Sequence, residues 1–170
     1  MPTPTYVAIA KTVLTGNQVT ITFSSIPSTY TDLILLCSSR WDGAGYSGSD
    51  YRVNGSTTTD SSTELYVYDG TNSGSTRYTT RSQGAFSSGT DTSNTFGSTE
   101  IYIPNYAGST YKVSSVTSVA ENNSTTTGLY ISLTANLWSA TTAMSSLNIV
   151  IGSGNFVSGS RFDLYGIKNS

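Results

Sequence analysis

The chain has 170 residues, a formal net charge of −2, only 11% charged residues and no histidine. This length is that of one domain, and without histidine the chain lacks the usual base of a catalytic triad and the commonest metal ligand. Its eight lysines and arginines are scattered along the sequence, whereas phosphate binding needs several cations on one face. These features exclude a nucleic-acid partner and argue against an enzyme.

Apolar and polar residues alternate along most of the chain, and no stretch has the 3.6-residue period of a helix. A first strand is predicted over Val7–Val13. Gly16-Asn17 is typical of a two-residue turn, so Val19–Phe23 is expected to return beside it as the second strand. Residues 32–39 are apolar on both faces, which predicts a strand in the middle of a sheet with both sides covered.

Two segments, about 40–62 and about 69–98, are rich in turn residues and are predicted to be long polar loops. The first has a weak strand signal at Tyr51–Val53, and flat edge strands are an alternative for the second. Further strand patterns are centred on Leu65–Val67, Ile101–Ile103, Val113–Val119, Leu129–Leu133, Leu147–Ile151 and Phe162–Ile167. The valines of the third pattern change parity, which indicates a bulge near Ser114-Ser115.

About eight to ten short strands separated by glycine and asparagine turns are typical of two packed sheets. We therefore expect an all-β protein, an antiparallel β-sandwich with jelly-roll-like topology and no substantial helix. It should form a single domain over residues 1–170, with a short N-terminal arm over about residues 1–5.

The loop around residues 41–51 is the stretch most typical of a binding site. Its candidate residues are Trp41, Asp42, Tyr46, Asp50 and Tyr51. Aromatic rings stack on the apolar faces of sugars while carboxylates bind hydroxyl groups, so these residues could bind a glycan. Equally, the rings could cap the end of the sandwich or lie in a subunit contact, where tyrosine and tryptophan are enriched.

No cofactor is expected, and calcium has only weak support. The segments Asp42–Asp50 and Asp69–Asn72 carry oxygen ligands, but neither has the order of an EF-hand loop. The ten acidic residues likewise contain no pair with the spacing of a glycosidase site. We predict no catalytic residues and no metal ligands.

The sequence also bears on where the protein acts. Residues 1–5 lack the basic and apolar segments of a secretory signal, and no apolar run approaches the roughly 18 residues of a membrane span. The abundance of Ser, Thr and Tyr is nevertheless typical of an extracellular surface. A virion protein, made in a host cytoplasm and carried outside on a particle, satisfies both observations.

Three segments resemble small structural proteins of tailed phages, especially phages of aquatic bacteria. They are Val19–Leu33, Ile101–Tyr106 and Gly159–Ile167. Such proteins decorate capsids or lie on fibres, are non-enzymatic and are commonly trimeric. The resemblance therefore implies a homotrimer on the virion surface with the major capsid protein as its partner.

Two functions remain open at this point. The first is a capsid decoration (cement) protein that binds the outer face of the head and stabilises its lattice. The alternative is a receptor-binding or fibre-tip domain that recognises host glycan through the loop at Trp41–Tyr51. Against the alternative, the sequence has no heptad or fibrous repeat of a trimerising shaft.

Overall fold

The computed structural model describes residues 5–45, 48–57, 60–79, 83–85, 87–123 and 129–168. These residues form twelve strands and no helix, and hence none that could span a membrane. The strands are β1 (Tyr6–Val13), β2 (Thr20–Phe23), β3 (Asp32–Ser39), β4 (Gly48–Val53), β5 (Asp60–Tyr68), β6 (Asn72–Tyr78), β7 (Gln83–Ala85), β8 (Gly97–Pro104), β9 (Lys112–Ala120), β10 (Tyr130–Trp138), β11 (Leu147–Ile151) and β12 (Arg161–Ile167). The prediction of an all-β protein is confirmed.

The strands form two antiparallel sheets. The larger sheet has the order β1-β12-β3-β8-β9-β10-β5-β6, and the smaller has the order β2-β11-β4-β7. Strands β1-β12-β3-β8 of the larger sheet and the four strands of the smaller sheet form a jelly roll, in which the chain passes between the two sheets. The smaller sheet also contacts β9 and β10 through β7. The predicted sandwich and its topology are therefore confirmed.

Two inserted hairpins extend the larger sheet beyond the jelly roll. Strands β5 and β6 are inserted between β4 and β7, and β9 and β10 are inserted between β8 and β11. The insertions meet where β10 pairs with β5 over nine residues. We call the four-stranded extension β9-β10-β5-β6 the wing.

The core lies between the two sheets. Alternate side chains of β3, β8 and β12, among them Leu35, Ile103 and Phe162, point toward β2, β4 and β11 and are almost completely buried. The ring of Phe162 meets that of Phe156 edge-on, with centroids 5.1 Å apart. As predicted, β3 lies inside its sheet, between β12 and β8. The prediction that both of its sides are covered is wrong for its second half, where Leu36 and Ser38 are exposed.

The predicted hairpin between the first two strands is wrong. Strand β1 pairs with β12, whereas β2 lies in the other sheet and pairs with β11. The intervening segment is anchored to residues near the chain end, because the Leu14 N–H donates to Ser160 O (2.9 Å) and the Gln18 N–H donates to Phe156 O (3.0 Å). The Gly16-Asn17 segment is thus a corner between sheets.

The two predicted polar loops contain strands. The first segment includes all of β4 and the start of β5, and the second includes β6, β7 and the start of β8. Strands β6 and β7 are edge strands of their sheets, so the edge-strand alternative is correct there. Edge strands need few aliphatic residues, which is why they look like loops in the sequence. Of the predicted arm, residues 1–4 lie outside the described residues.

The bulge predicted near Ser114-Ser115 is also wrong. Strand β9 pairs without a shift in register with both β8 and β10, and a bulge lies instead in β1, between Ala8 and Ala10. The valines change parity because Val113 and Val119 point to the outer face while Val116 is completely buried.

Candidate functional site

Trp41, the first residue of the predicted site, is buried in the core, with 4% of its surface exposed. Its indole ring passes directly beneath Gly43, since a Cβ atom at residue 43 would lie 1.8 Å from Cζ3 of Trp41. Gly154, with a φ of +73°, lies on the same ring. The two glycines therefore allow the backbone to cover the ring, which leaves no open aromatic face for a sugar.

Gly43→Ala is expected to destabilise the protein by about 1–3 kcal/mol, because the added methyl group and the buried ring cannot occupy the same space. Gly16→Ala is the control, since a Cβ atom there would have no neighbour within 4 Å. The free energies of unfolding in urea compare the two variants. Equal stability of both would show that the Trp41 ring moves freely.

Tyr51 is also buried, with 5% exposed. It lies on β4 opposite Ile149, and its hydroxyl is hydrogen-bonded to Ser114 Oγ of β9. The burial of this ring and of the Trp41 ring favours the alternative in which the rings pack within the sandwich. Asp50 forms an ion pair with Arg52 (3.4 Å) on the same strand, and Tyr46 lies outside the described residues.

Asp42 is exposed and connects three loops. One carboxylate oxygen accepts from the Asn155 N–H (2.7 Å), and the other accepts from the side-chain amides of Asn155 (2.8 Å) and Asn17 (3.2 Å). These bonds, those from Asn155 foremost, lower the pKa of Asp42. Because amide donors occupy both oxygens, the role of Asp42 is structural: its carboxylate holds the three loops together.

Metal binding has no support from the described part of the chain. Within the described ranges, no group of three or more Asp, Glu, Cys or His side chains could hold a metal ion. The weak calcium prediction rested on Asp42–Asp50 and Asp69–Asn72, and the carboxylate of Asp42 is already hydrogen-bonded to amides.

The wing carries half of the large hydrophobic side chains that are exposed among the described residues. Its strands alternate as the sequence predicted, but the aliphatic side chains point away from the smaller sheet. We call this set the wing face; its members are each between 37 and 57% exposed: Leu65, Val67, Val113, Val119, Ile131 and Leu133. In a sheet with one solvated face the apolar side chains normally point inward, so the orientation of the wing is inverted.

The inner side of the wing is correspondingly polar. Three successive inward side chains of β10, Ser132, Thr134 and Asn136, are each at most 2% exposed. On β5, the buried Glu64 accepts a hydrogen bond from the Tyr130 hydroxyl (2.9 Å), and burial together with the charge of Glu64 raises the pKa of Tyr130. Buried serine, threonine and glutamate thus lie beneath exposed leucine and isoleucine, and of the described inward side chains of the wing only Val116 and Trp138 belong to the apolar core.

The wing face has a polar rim on both sides. On β6, at one edge, lie Ser73, Ser75 and Arg77; on β8, at the other, lie Ser98 and Glu100. An apolar centre within a polar rim is the usual organisation of a protein–protein interface.

Sequence reasoning missed the wing face. The alternation was visible in Leu65–Val67 and Leu129–Leu133, but a period of two gives the two faces without indicating which one is inward. The sequence did contain a signal in the residues that alternate with the aliphatic ones, because Ser, Thr and Asn occupy every second position of 132–136. The chain matches no protein-family model, and no curated protein is similar to it in sequence.

Proposed function

We propose that this chain is a virion structural protein of a tailed phage, a capsid decoration protein that binds the outer surface of the head and stabilises its lattice. The observation that carries the proposal is the wing face. Exposed apolar patches larger than a few hundred Å² are rare on monomeric proteins and mark surfaces that bind other proteins or membranes. The wing face is uncharged, which favours a protein partner.

The physical argument rests on the orientation of the wing. Leaving Leu133 and Ile131 in water is unfavourable by roughly 1 kcal/mol each, half the value for burying such a side chain completely. Because the opposite side of the strands is mostly polar, turning the wing over would bury six aliphatic side chains and expose, among the described core residues, only Val116 and Trp138. A surface kept exposed against this tendency is one that another subunit covers.

The resemblance of three segments to phage structural proteins gives the surface its setting. A jelly roll serves viral capsids, but also lectins and cupins, so the fold alone does not select the function. We propose the major capsid protein and further copies of this chain, as a homotrimer, for its partners. Contacts repeated over a lattice combine by multivalency, so weak individual contacts suffice for stable attachment.

The test uses heads of the encoding phage from which this gene has been deleted. Purified protein is added back, and cryo-electron microscopy locates the added density. We expect density distributed over the head lattice and heads that withstand a higher temperature than heads without the protein. Density at the tail tip would contradict the proposal and support receptor binding, and no added density would contradict both.

A matched pair of variants tests the role of the wing face. Val119→Asp places a charge in the wing face. Val13→Asp places the same charge on β1, far from the wing in the same sheet, and the two valines have similar exposure (43% for Val119 and 49% for Val13). Co-sedimentation with heads is expected to weaken at least tenfold for the first variant and to stay unchanged for the second. Equal binding would remove the wing face from the mechanism.

A further inference from the structure

We propose that the wing face binds the same face of a second copy of this chain, around a two-fold axis that runs parallel to β10. The inference rests on the proposed function in taking the wing as an assembly surface. It assigns that surface to a second copy of this chain, and pairing raises the number of head contacts that each assembly makes. Its basis is the arrangement of side chains across the wing and the charges on its two edges.

The wing face is arranged in rows across the strands. Val67, Ile131 and Val119 are register partners in one row, and Leu65, Leu133 and Thr117 form the next. In both rows β10 is the centre, with β9 and β8 on one side and β5 and β6 on the other. An axis along β10 therefore places each half of the face on the other half of the partner's face, as a two-fold contact requires.

The charges on the rim select this axis. Arg77 on β6 and Glu100 on β8 both lie two strands from β10, on opposite sides. Their rows are adjacent, since Arg77 is level with Ala135 and Glu100 with Leu133, which separates them by about 7 Å along the strands. Rotation about β10 brings Arg77 of each copy over Glu100 of the other.

The competing orientation is unfavourable. A two-fold axis perpendicular to the strands keeps β6 over β6, so that Arg77 faces the partner's Arg77 edge and Glu100 faces the partner's Glu100 edge. Two arginines or two glutamates that face each other across the contact repel, whereas an arginine and a glutamate attract. Among the described residues neither side chain forms an ion pair; Arg77 donates to Thr63 Oγ1 (3.1 Å) on the outer side of the wing.

The area is sufficient for a specific contact. The face spans from Ile131 to Leu137 along the strands and from β8 to β6 across them, which is about 20 Å by 19 Å, or roughly 400 Å² in projection. The accessible area of a corrugated side-chain surface exceeds its projection, so pairing buries about 1,000 Å² over the two copies, which is more than most crystal-packing contacts and is the size of a small biological interface.

The first test measures the mass of the assembly in solution by sedimentation and native mass spectrometry. We expect an even number of copies, six where two of the proposed homotrimers pair through their wing faces, and we expect Leu133→Asp and Val119→Asp to halve that number. Val13→Asp, the matched control, should leave the mass unchanged. Circular dichroism and the melting temperature establish that the variants are folded before their masses are compared.

The second test exchanges the charges on the rim. Arg77→Glu alone and Glu100→Arg alone are each expected to raise the dissociation constant of the contact about tenfold, because each places like charges together. The double variant Arg77→Glu/Glu100→Arg restores the opposite pairing and is expected to return within about threefold of the original constant. Equal weakening in the double variant would contradict the axis.

An odd-numbered assembly, a monomer at all concentrations, or a mass unaffected by Leu133→Asp would overturn the inference. The outcomes are separable from those for the proposed function. Wild-type protein that binds heads without forming the wing contact contradicts only the inference, whereas protein that forms the contact and is absent from heads contradicts only the proposed function.

Discussion

Replacing Arg40 by alanine is expected to lower the free energy of unfolding by about 2–4 kcal/mol. Arg40 follows β3, and its guanidinium donates to the carbonyl oxygens of Thr92 (2.9 Å), Thr95 (3.0 Å), Asp91 (2.9 Å) and Gly89 (3.1 Å). Thr92 O also accepts from Thr95 Oγ1 (2.7 Å) and Thr95 O from Ser87 Oγ (3.5 Å), whereas the carbonyl oxygens of Gly89 and Asp91 have no other side-chain donor among the described residues. The guanidinium of Arg40 thus joins four carbonyl groups of the loop over residues 88–96.

The loop over residues 88–96 is also held by a carboxylate of its own, that of Asp91. The Asp91 carboxylate accepts from the Ser88 N–H (2.7 Å), from Ser87 Oγ (2.8 Å) and from the Asn122 side-chain amide (3.2 Å). Without Arg40 these bonds would have to hold the loop alone.

Two comparisons make the Arg40 result decisive. Arg40→Lys keeps the charge but cannot donate in two directions from a planar group, so it should recover little of the loss. Arg161→Ala, which removes a half-exposed arginine paired with Asp163, should change the stability much less. Chemical denaturation measures all three variants, and an Arg40→Ala protein as stable as the wild type would contradict the assigned role.

Asp60→Asn is expected to stabilise the protein at pH 7 by roughly 2–3 kcal/mol. Asp60 is 4% exposed at the start of β5. Burial raises its pKa to about 6, Asp50 adds to this, and Arg52 opposes it. A carboxyl group whose pKa is higher in the folded than in the unfolded state destabilises the fold wherever it must ionise, and asparagine removes that charge.

The sign of the effect follows from the two pKa values. Well below the unfolded pKa of about 4 the carboxyl group is protonated in both states and contributes nothing, whereas above the folded pKa of about 6 the destabilisation is complete. The advantage of Asp60→Asn should therefore be absent at about pH 2.5, small at about pH 4 and full at about pH 7. Thermal unfolding across this range measures it, and a difference that does not vary with pH would contradict the explanation.

Asp42→Asn is the control, because it is expected to change the stability at pH 7 in the opposite direction from Asp60→Asn. Hydrogen bonds from Asn155 lower the pKa of Asp42, so its carboxylate stabilises the folded state at neutral pH, and this contribution is lost as the pH falls through the lowered pKa. Asp42→Asn should therefore be less stable than the wild type at pH 7, with the difference narrowing in acid.

The strands and the sandwich could be predicted from the sequence because alternation is a local property. Strands β2 and β11 place every second side chain in the core, with Ile21 and Phe23 on the first strand, and turn residues separate them from their neighbours. Pairing is not local. The corner at Gly16-Asn17 has the residues of a hairpin turn, and only contacts with residues 156–160 make it a passage between sheets.

The proposed binding surface, the wing face, could be predicted less well for a related reason. Trp41 and Tyr51 were candidates because aromatic residues in a glycine-rich loop resemble a sugar site, yet Gly43 serves to let the Trp41 ring pass beneath the backbone. The wing face depends on which side of β10 the second sheet covers. That choice is made by strands far away in the sequence, so Leu133 could not be recognised as exposed.

The pairing of β10 with β5 has a consequence for the timing of assembly. The two hairpins come from separate insertions, and the residues joined across them, such as Leu65 and Leu133, are far apart in the chain. Closing so long a loop is entropically unfavourable and slows formation of the contact. Neither hairpin alone presents the complete surface, so a nascent or half-folded chain does not yet offer it. Under the proposed function, only molecules that have finished folding are then competent to join a particle.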